Sequence, residues 1–170
     1  MISIVPDTNT IISGFLFQGN ESKIFEKAEE KKLQLFLSDE ILHEPINVIN
    51  RPKFKTTPKE IEDIVNKLIR ISAIVKPTQQ ICIVKDDPTD NKFIECAIEA
   101  KANYIISGDR HLLKIKKYKG VKILKTKEIL EILQTSKEDE FWRKISEKSL
   151  ENAWEKEDYK WQETYLKEKK

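Results

Sequence analysis

Glycine is the first scarcity. Four glycines among 170 residues are too few for a loop-rich or many-turned all-β chain, so helices and strands must be joined tightly. Cysteine is nearly as sparse: Cys82 and Cys96 form no CxxC pair, and no His lies near them at zinc-ligand spacing. That excludes a disulfide framework and a structural zinc site. Both thiols sit in apolar settings and read as reduced core residues of a cytoplasmic protein. No apolar stretch approaches the ~18 residues that span a bilayer, so no membrane partner is expected. The opening Met1–Asp7 lacks the basic lead and long apolar run of a secretory signal. A dominant charge of one sign is missing too. The formal net charge is +2, so total charge gives no argument for nucleic acid. From Ser136 onward there are nine basic and ten acidic residues, which leaves the small positive excess in the body.

What is present is 39% hydrophobic and 35% charged residues, enough for one core under a heavily solvated surface. The chain reads as a body over 1–135 and a compositionally distinct extension over 136–170. Ile2–Pro6 is a β-branched run that reads as the first, central strand, with Asp7 at its carboxyl end. A helix follows with Ile11, Ile12, Phe15 and Leu16 inward, broken by Gly14, Gly19 and Asn20. Glu21–Lys32 reads as a second helix and Leu33–Leu37 as a strand. Ser38 caps a helix over Asp39–Asn50 that carries Glu44. After the basic connector Arg51–Lys55, Thr57-Pro58 opens a helix in the favoured order of cap and proline, with Ile61, Ile64, Val65, Leu68 and Ile69 at helical spacing. Ser72–Lys76 and Ile81–Val84 are short strands or extended segments. Val121–Leu124 is the last strand and Lys127–Leu133 a closing helix. Alternating strands and helices predict an α/β/α sandwich around a central parallel sheet.

Asp86–Leu112 organises the rest. A helix beginning at Thr89 or Asp90 buries Phe93, Ile94, Ala97, Ile98 and Ala100, and the strand Asn103–Ser107 ends in Ser-Gly-Asp. In open parallel sheets ligand-binding residues collect at strand carboxyl ends, where Asp7 and Asp109 fall. Asp90 lies at a helix N-terminus, which favours an ionised carboxylate. Each acid alone fits a cap or a turn. Together Asp7, Glu44, Asp90 and Asp109 form a set of hard oxygen donors without Cys or His, suited to Mg²⁺ or Mn²⁺.

The same residues carry a resemblance. Ile4–Gly14 is similar to the opening motif of PIN-domain ribonucleases. Ser38–Glu44 with Arg51-Pro-Lys-Phe resembles their second segment. Asp87–Ala97 and Ser107–Leu113 resemble the third and fourth. The likeness runs from Ile2 to about Leu133, and is strongest to the VapC-type toxins of toxin–antitoxin pairs. It implies a Mg²⁺- or Mn²⁺-dependent endoribonuclease leaving 5′-phosphate and 3′-hydroxyl ends. Asp7 and Asp90 would be direct metal ligands, Asp109 the ligand of a second ion, and Glu44 a contact through water. Thr8, Asn9 and Ser107 would orient carboxylates or touch phosphate, and Asp87 would shape the turn. Among the cations, Arg110, Lys114, Arg51 and Lys53 adjoin the motifs and suit RNA phosphates. The resemblance also implies a homodimer and an antitoxin partner.

Competing readings differ in class. His43 and His111 tempt a general-base role that metal-hydroxide chemistry does not require. An aspartyl-phosphate enzyme would need an acid where Asn9 stands. A non-catalytic RNA- or protein-binding PIN scaffold and a housekeeping RNA-processing nuclease share the fold. All three tryptophans lie in the extension, and Leu150, Trp154, Trp161 and Tyr165 share one helical face that needs a partner surface. Ser149–Trp161 resembles the toxin-binding segment of antitoxins, which implies that Glu138–Lys170 wraps the body, or a neighbouring copy of it, and partly covers the RNA path; the alternative is a peripheral helix completing the same core.

Overall fold

The computed structural model describes residues 1–135; Leu150, Trp154, Trp161 and Tyr165 lie outside the described residues. The chain divides into two units, Met1–Leu130 and Glu131–Lys170. In the first unit, β1 (Ile2–Pro6), β2 (Leu33–Leu37), β3 (Ser72–Ile74), β4 (Tyr104–Ile106), β5 (Lys117–Tyr118) and β6 (Val121–Leu124) form one sheet in the order β3-β2-β1-β4-β6-β5. Every pairing is parallel except that of β5 with β6. The helices are α1 (Thr8–Leu16), α2 (Asn20–Glu29), α3 (Asp39–Ile49), α4 (Pro58–Ile71), α5 (Asn91–Glu99), α6 (Arg110–Ile115) and α7 (126–135). The predicted parallel α/β fold is therefore observed, with β1 in its interior. No helix among the described residues is long and apolar enough to cross a membrane.

The topology creates one crevice. The chain moves from β1 outward through β2 to β3, then returns to lay β4 on the other side of β1. The two outward-running halves part between β1 and β4, so their carboxyl ends border a topological switch point. Pro6 pairs with Ile106 there, and the Asp7 N–H reaches the Ile106 carbonyl at 2.9 Å. Beneath it Ile4, Val5, Leu35, Leu37, Ile105 and Ile106 are buried in the sheet, between Ile11, Ile41, Phe93 and Ile94 of the flanking helices.

Several local expectations need correction. Gly14 does not break α1. It lies inside the helix because any Cβ there would collide with the Phe25 ring of α2, so the glycine serves close helix packing. Asn20 likewise begins α2 rather than breaking the chain, and α2 ends at Glu29. On α4 only Leu68 is fully buried, and Ile69 is 50% exposed. Helix α5 takes Asp90 as its N-cap, as expected, with a 3₁₀ turn over Pro88–Asp90 leading into it. The segment Ile81–Val84 adopts no strand; the Asn91 side chain takes the Ile83 and Val84 N–H groups at 3.0 Å, and Glu95 takes that of Ile81 at 2.8 Å. A tight hairpin absent from the sequence reading joins β5 to β6 through Lys119 and Gly120, at φ 44° and 95°, the paired left-handed conformation that two-residue hairpins demand.

Candidate active site

Asp7 is built into the fold twice. It caps α1, accepting the Thr10 N–H on Oδ1 at 2.7 Å, and its Oδ2 accepts the Ser107 hydroxyl at 2.5 Å. The Ser107 oxygen in turn accepts the Asp109 N–H at 2.9 Å. Asp109 then caps α6, accepting the His111 N–H at 2.6 Å. One serine therefore ties together the carboxylate at the end of β1 and the loop that follows β4. Asp7 is only 3% exposed and Ser107 1%, so the junction is rigid rather than solvated.

Glu44 enters from α3. Its Oε2 accepts the Thr8 hydroxyl at 2.7 Å, which ties it to the residue beside Asp7. The same oxygen meets the Lys92 ammonium at 2.5 Å. Lys92 is 8% exposed, and a buried ammonium persists only where a counter-charge meets it. Sequence reasoning missed this residue. Its position two residues after Asp90 was the available signal, but a lysine on the polar face of a helix reads as solvated.

Asp90 completes the group. The capping task at this corner falls to Asp87, whose Oδ1 accepts the Thr89 hydroxyl at 2.6 Å and the Thr89 N–H at 3.1 Å. Those bonds hold the Asp87 carboxyl below the usual carboxylate range. Asp90 makes no capping bond. Burial pushes its carboxyl up to about 6, the negative charges of Asp87, Asp109 and Asp7 push the same way, and Lys92 opposes them. Asp90 does occupy the N-cap position of α5, but desolvation and like charge there outweigh the helix end and shift its carboxyl upward. Asp7 and Asp109, from the two strand ends, thus lie near enough to Asp90 to act on its charge.

A sequence profile described as PIN domain matches residues 3–111, a span holding all four acids. The chain belongs to the PIN domain family. PIN domains are generally nucleases and typically depend on divalent metal. No curated protein sequence matches the chain.

The donor chemistry of this PIN domain fits such an ion: carboxylate oxygens only, with more negative charge than Lys92 offsets. The fit is in charge and donor type rather than in a finished cage, because among the described residues no three acidic, His or Cys side chains stand close enough to hold one ion as they lie. A larger cleft of about 560 Å³ opens among Met1, Leu33 and Ser72, at the amino ends of β1, β2 and β3 and so at the wrong edge for these acids.

The remaining candidates of the PIN domain divide. The Thr8 hydroxyl donates to Glu44 and the Ser107 hydroxyl to Asp7, while Asp87 accepts from Thr89 in its own turn. Asn9 is exposed and bonds to none of the acids. Lys114 is committed to Asp86 at 3.5 Å, and His111 meets the same carboxylate at 3.0 Å. His43 Nδ1 lies 2.6 Å from the Asp39 carbonyl oxygen of its own helix. Arg110 and Arg51 are exposed, as is Lys53, whose ammonium lies 4.8 Å from the centre of the Phe54 ring.

Proposed function

We propose that this PIN domain is a Mg²⁺- or Mn²⁺-dependent endoribonuclease and the toxin of a toxin–antitoxin pair. The observation that supports catalysis best is the charge on Asp90: a half-buried carboxyl pressed by Asp87, Asp109 and Asp7 at the switch point of a parallel sheet. Asp7, Asp90 and Asp109 would hold the ion, with Glu44 beside them. Such an ion lowers the pKa of bound water and offsets charge on the attacked phosphate.

The protein's own groups do the positioning. Ser107 and the Thr10 N–H fix both oxygens of Asp7, so that carboxylate presents one orientation. Thr8 and Lys92 fix Glu44. The Lys92 charge also keeps the cluster from becoming a site that repels phosphate outright. Arg110 and Arg51, exposed beside the motifs, supply phosphate contacts that depend on salt and little on sequence. Cleavage leaves 5′-phosphate and 3′-hydroxyl ends, by analogy with the family.

The toxin assignment rests on the likeness of the four motifs and of the Ser149–Trp161 segment. Incubating end-labelled RNA with Mn²⁺ and the protein tests the chemistry. Asp7→Asn and Asp90→Asn should each reduce cleavage by at least about a hundredfold, a loss of some 2.7 kcal/mol or more of transition-state stabilisation. Cleavage that persists in both variants would sink the assignment. Growth arrest on expression, lost in Asp90→Asn, separates a toxin from an RNA-processing nuclease.

A further inference from the structure

A second concave surface shares a wall with the acid cluster. It is a cleft of about 260 Å³ to which Asn9, Thr10, Ser13, Ser107, Gly108 and Lys125 contribute. Thr10 follows Asp7 by three residues, and Ser107 is the serine that bonds Asp7 and Asp109. The cleft is therefore the continuation of the catalytic edge past β1 and β4 towards β6.

Its polar lining is unspent. Thr10 and Thr126, 4% and 6% exposed, both line it, and neither hydroxyl makes a hydrogen bond within the described residues. Both side chains line the cleft with their hydroxyls unspent, so a ligand held there can bond to them. The side chains of Asn9, Ser13 and Asn20, which also line the cleft, are likewise without protein partners. Lys125 supplies an exposed ammonium that enters no ion pair among the described residues, while its backbone N–H is taken by Glu128 at 2.8 Å. Glu21 is the one carboxylate in the lining. It repels phosphate but accepts from a hydroxyl.

From this set we infer that the cleft is a ribonucleotide subsite, holding the nucleotide next to the scissile phosphate on the β6 side. Lys125 takes the phosphate, Glu21 accepts from the ribose 2′-hydroxyl, and Thr10, Ser13 and Thr126 bond to the sugar–phosphate backbone. The inference deepens the nuclease reading and rests on it for the class of substrate. It gives the strand a direction across the site that Arg51 and Arg110 alone do not give.

The test is equilibrium binding, read by fluorescence anisotropy in EDTA, where no cleavage intervenes. The probes are a short fluorescein-labelled single-stranded RNA of mixed sequence and the same sequence as DNA. Lys125→Ala should weaken RNA binding and lower the slope of log affinity against log salt by about 0.7. Ser13→Ala should weaken it by roughly two- to tenfold, the worth of one hydrogen bond. DNA should bind less tightly than RNA, and Glu21→Gln should narrow that gap. Lys59→Ala, on the first turn of α4, is the surface control. Lys125→Ala binding like Lys59→Ala would overturn the subsite, as would equal affinity for RNA and DNA. Parallel cleavage assays with Mn²⁺ keep the two ideas apart: wild-type cleavage alongside unaffected Lys125→Ala binding removes the subsite and leaves the nuclease standing.

Discussion

At Asp90, stability and chemistry pull against each other. Its carboxyl titrates near 6 in the folded chain against an ordinary value of 3.8. Between those values the folded state keeps a proton that the unfolded state has lost. The stabilising contribution is therefore complete below about pH 4 and disappears as pH rises through 6. In a chelator, this group makes the melting temperature fall as pH rises across that window. Mn²⁺ should reverse the trend, because it binds the ionised form, so its stabilising effect should be larger at pH 7 than at pH 5. Asp90→Asn removes the like-charge conflict. Solvent screening of a half-exposed group keeps the effect to about 1 kcal/mol, a rise of roughly 2–4 °C at pH 7 in EDTA, together with lost cleavage. An unchanged melting temperature would mean that the acids do not press on one another. Lys92 carries the opposite conflict. Lys92→Met strips Glu44 of its cation and should destabilise the fold by about 1–3 kcal/mol, less than a fully buried pair because Glu44 remains partly exposed. Pairing it with Glu44→Gln should recover most of that loss in urea unfolding.

Among the elements, legibility followed local chemistry. Strands β1 and β2 fall where the β-branched and alternating runs end, and the Thr57-Pro58 start of α4 closes as a full capping box with Glu60. The placement of Asp7 and Asp109 just past strand ends was legible because each closely follows an apolar run. What local pattern does not encode is which strands become neighbours, and so neither the Ser107 bond to Asp7 nor the burial of Lys92 could be read. Gly14 misled for the same reason: its purpose is an approach by Phe25, eleven residues away. The polar face of α5 is the clearest case, since Asn91, Glu95 and Glu99 look solvated in sequence but hydrogen-bond the backbone of the segment before the helix. Asn91→Ala should leave the Ile83 and Val84 N–H groups without acceptors, at about 1–3 kcal/mol for each that stays buried. Urea unfolding gives the total, and hydrogen exchange should show the Val84 amide losing protection while Ile4 and Ile105 keep theirs. Uniform loss across the sheet would contradict this local role for Asn91.

At the scale of the whole chain, the matched PIN span ends at residue 111, while the tryptophans all lie beyond 135. A body with a small positive excess is thus followed by a tail with nearly balanced charge, in which Leu150, Trp154, Trp161 and Tyr165 are expected, from their spacing, on one helical face. If that face covers the RNA path, the intact chain is a restrained nuclease, and restraint within one chain acts at a high effective concentration that separate partners lack. On that proposal, ending the chain after Thr135 should raise ribonuclease activity several-fold, chiefly by lowering KM, since a tail that competes with substrate would leave the acids unaltered. A peptide of residues 136–170 added back should inhibit the shortened protein in a concentration-dependent way, and its Trp154→Ala form should inhibit less. Restored inhibition with a rising KM and constant kcat would identify a competitor for the RNA groove. Unchanged activity of the shortened chain, accompanied by poor solubility, would instead assign the tail a role in stability alone, leaving the four acids as the whole of the catalytic argument.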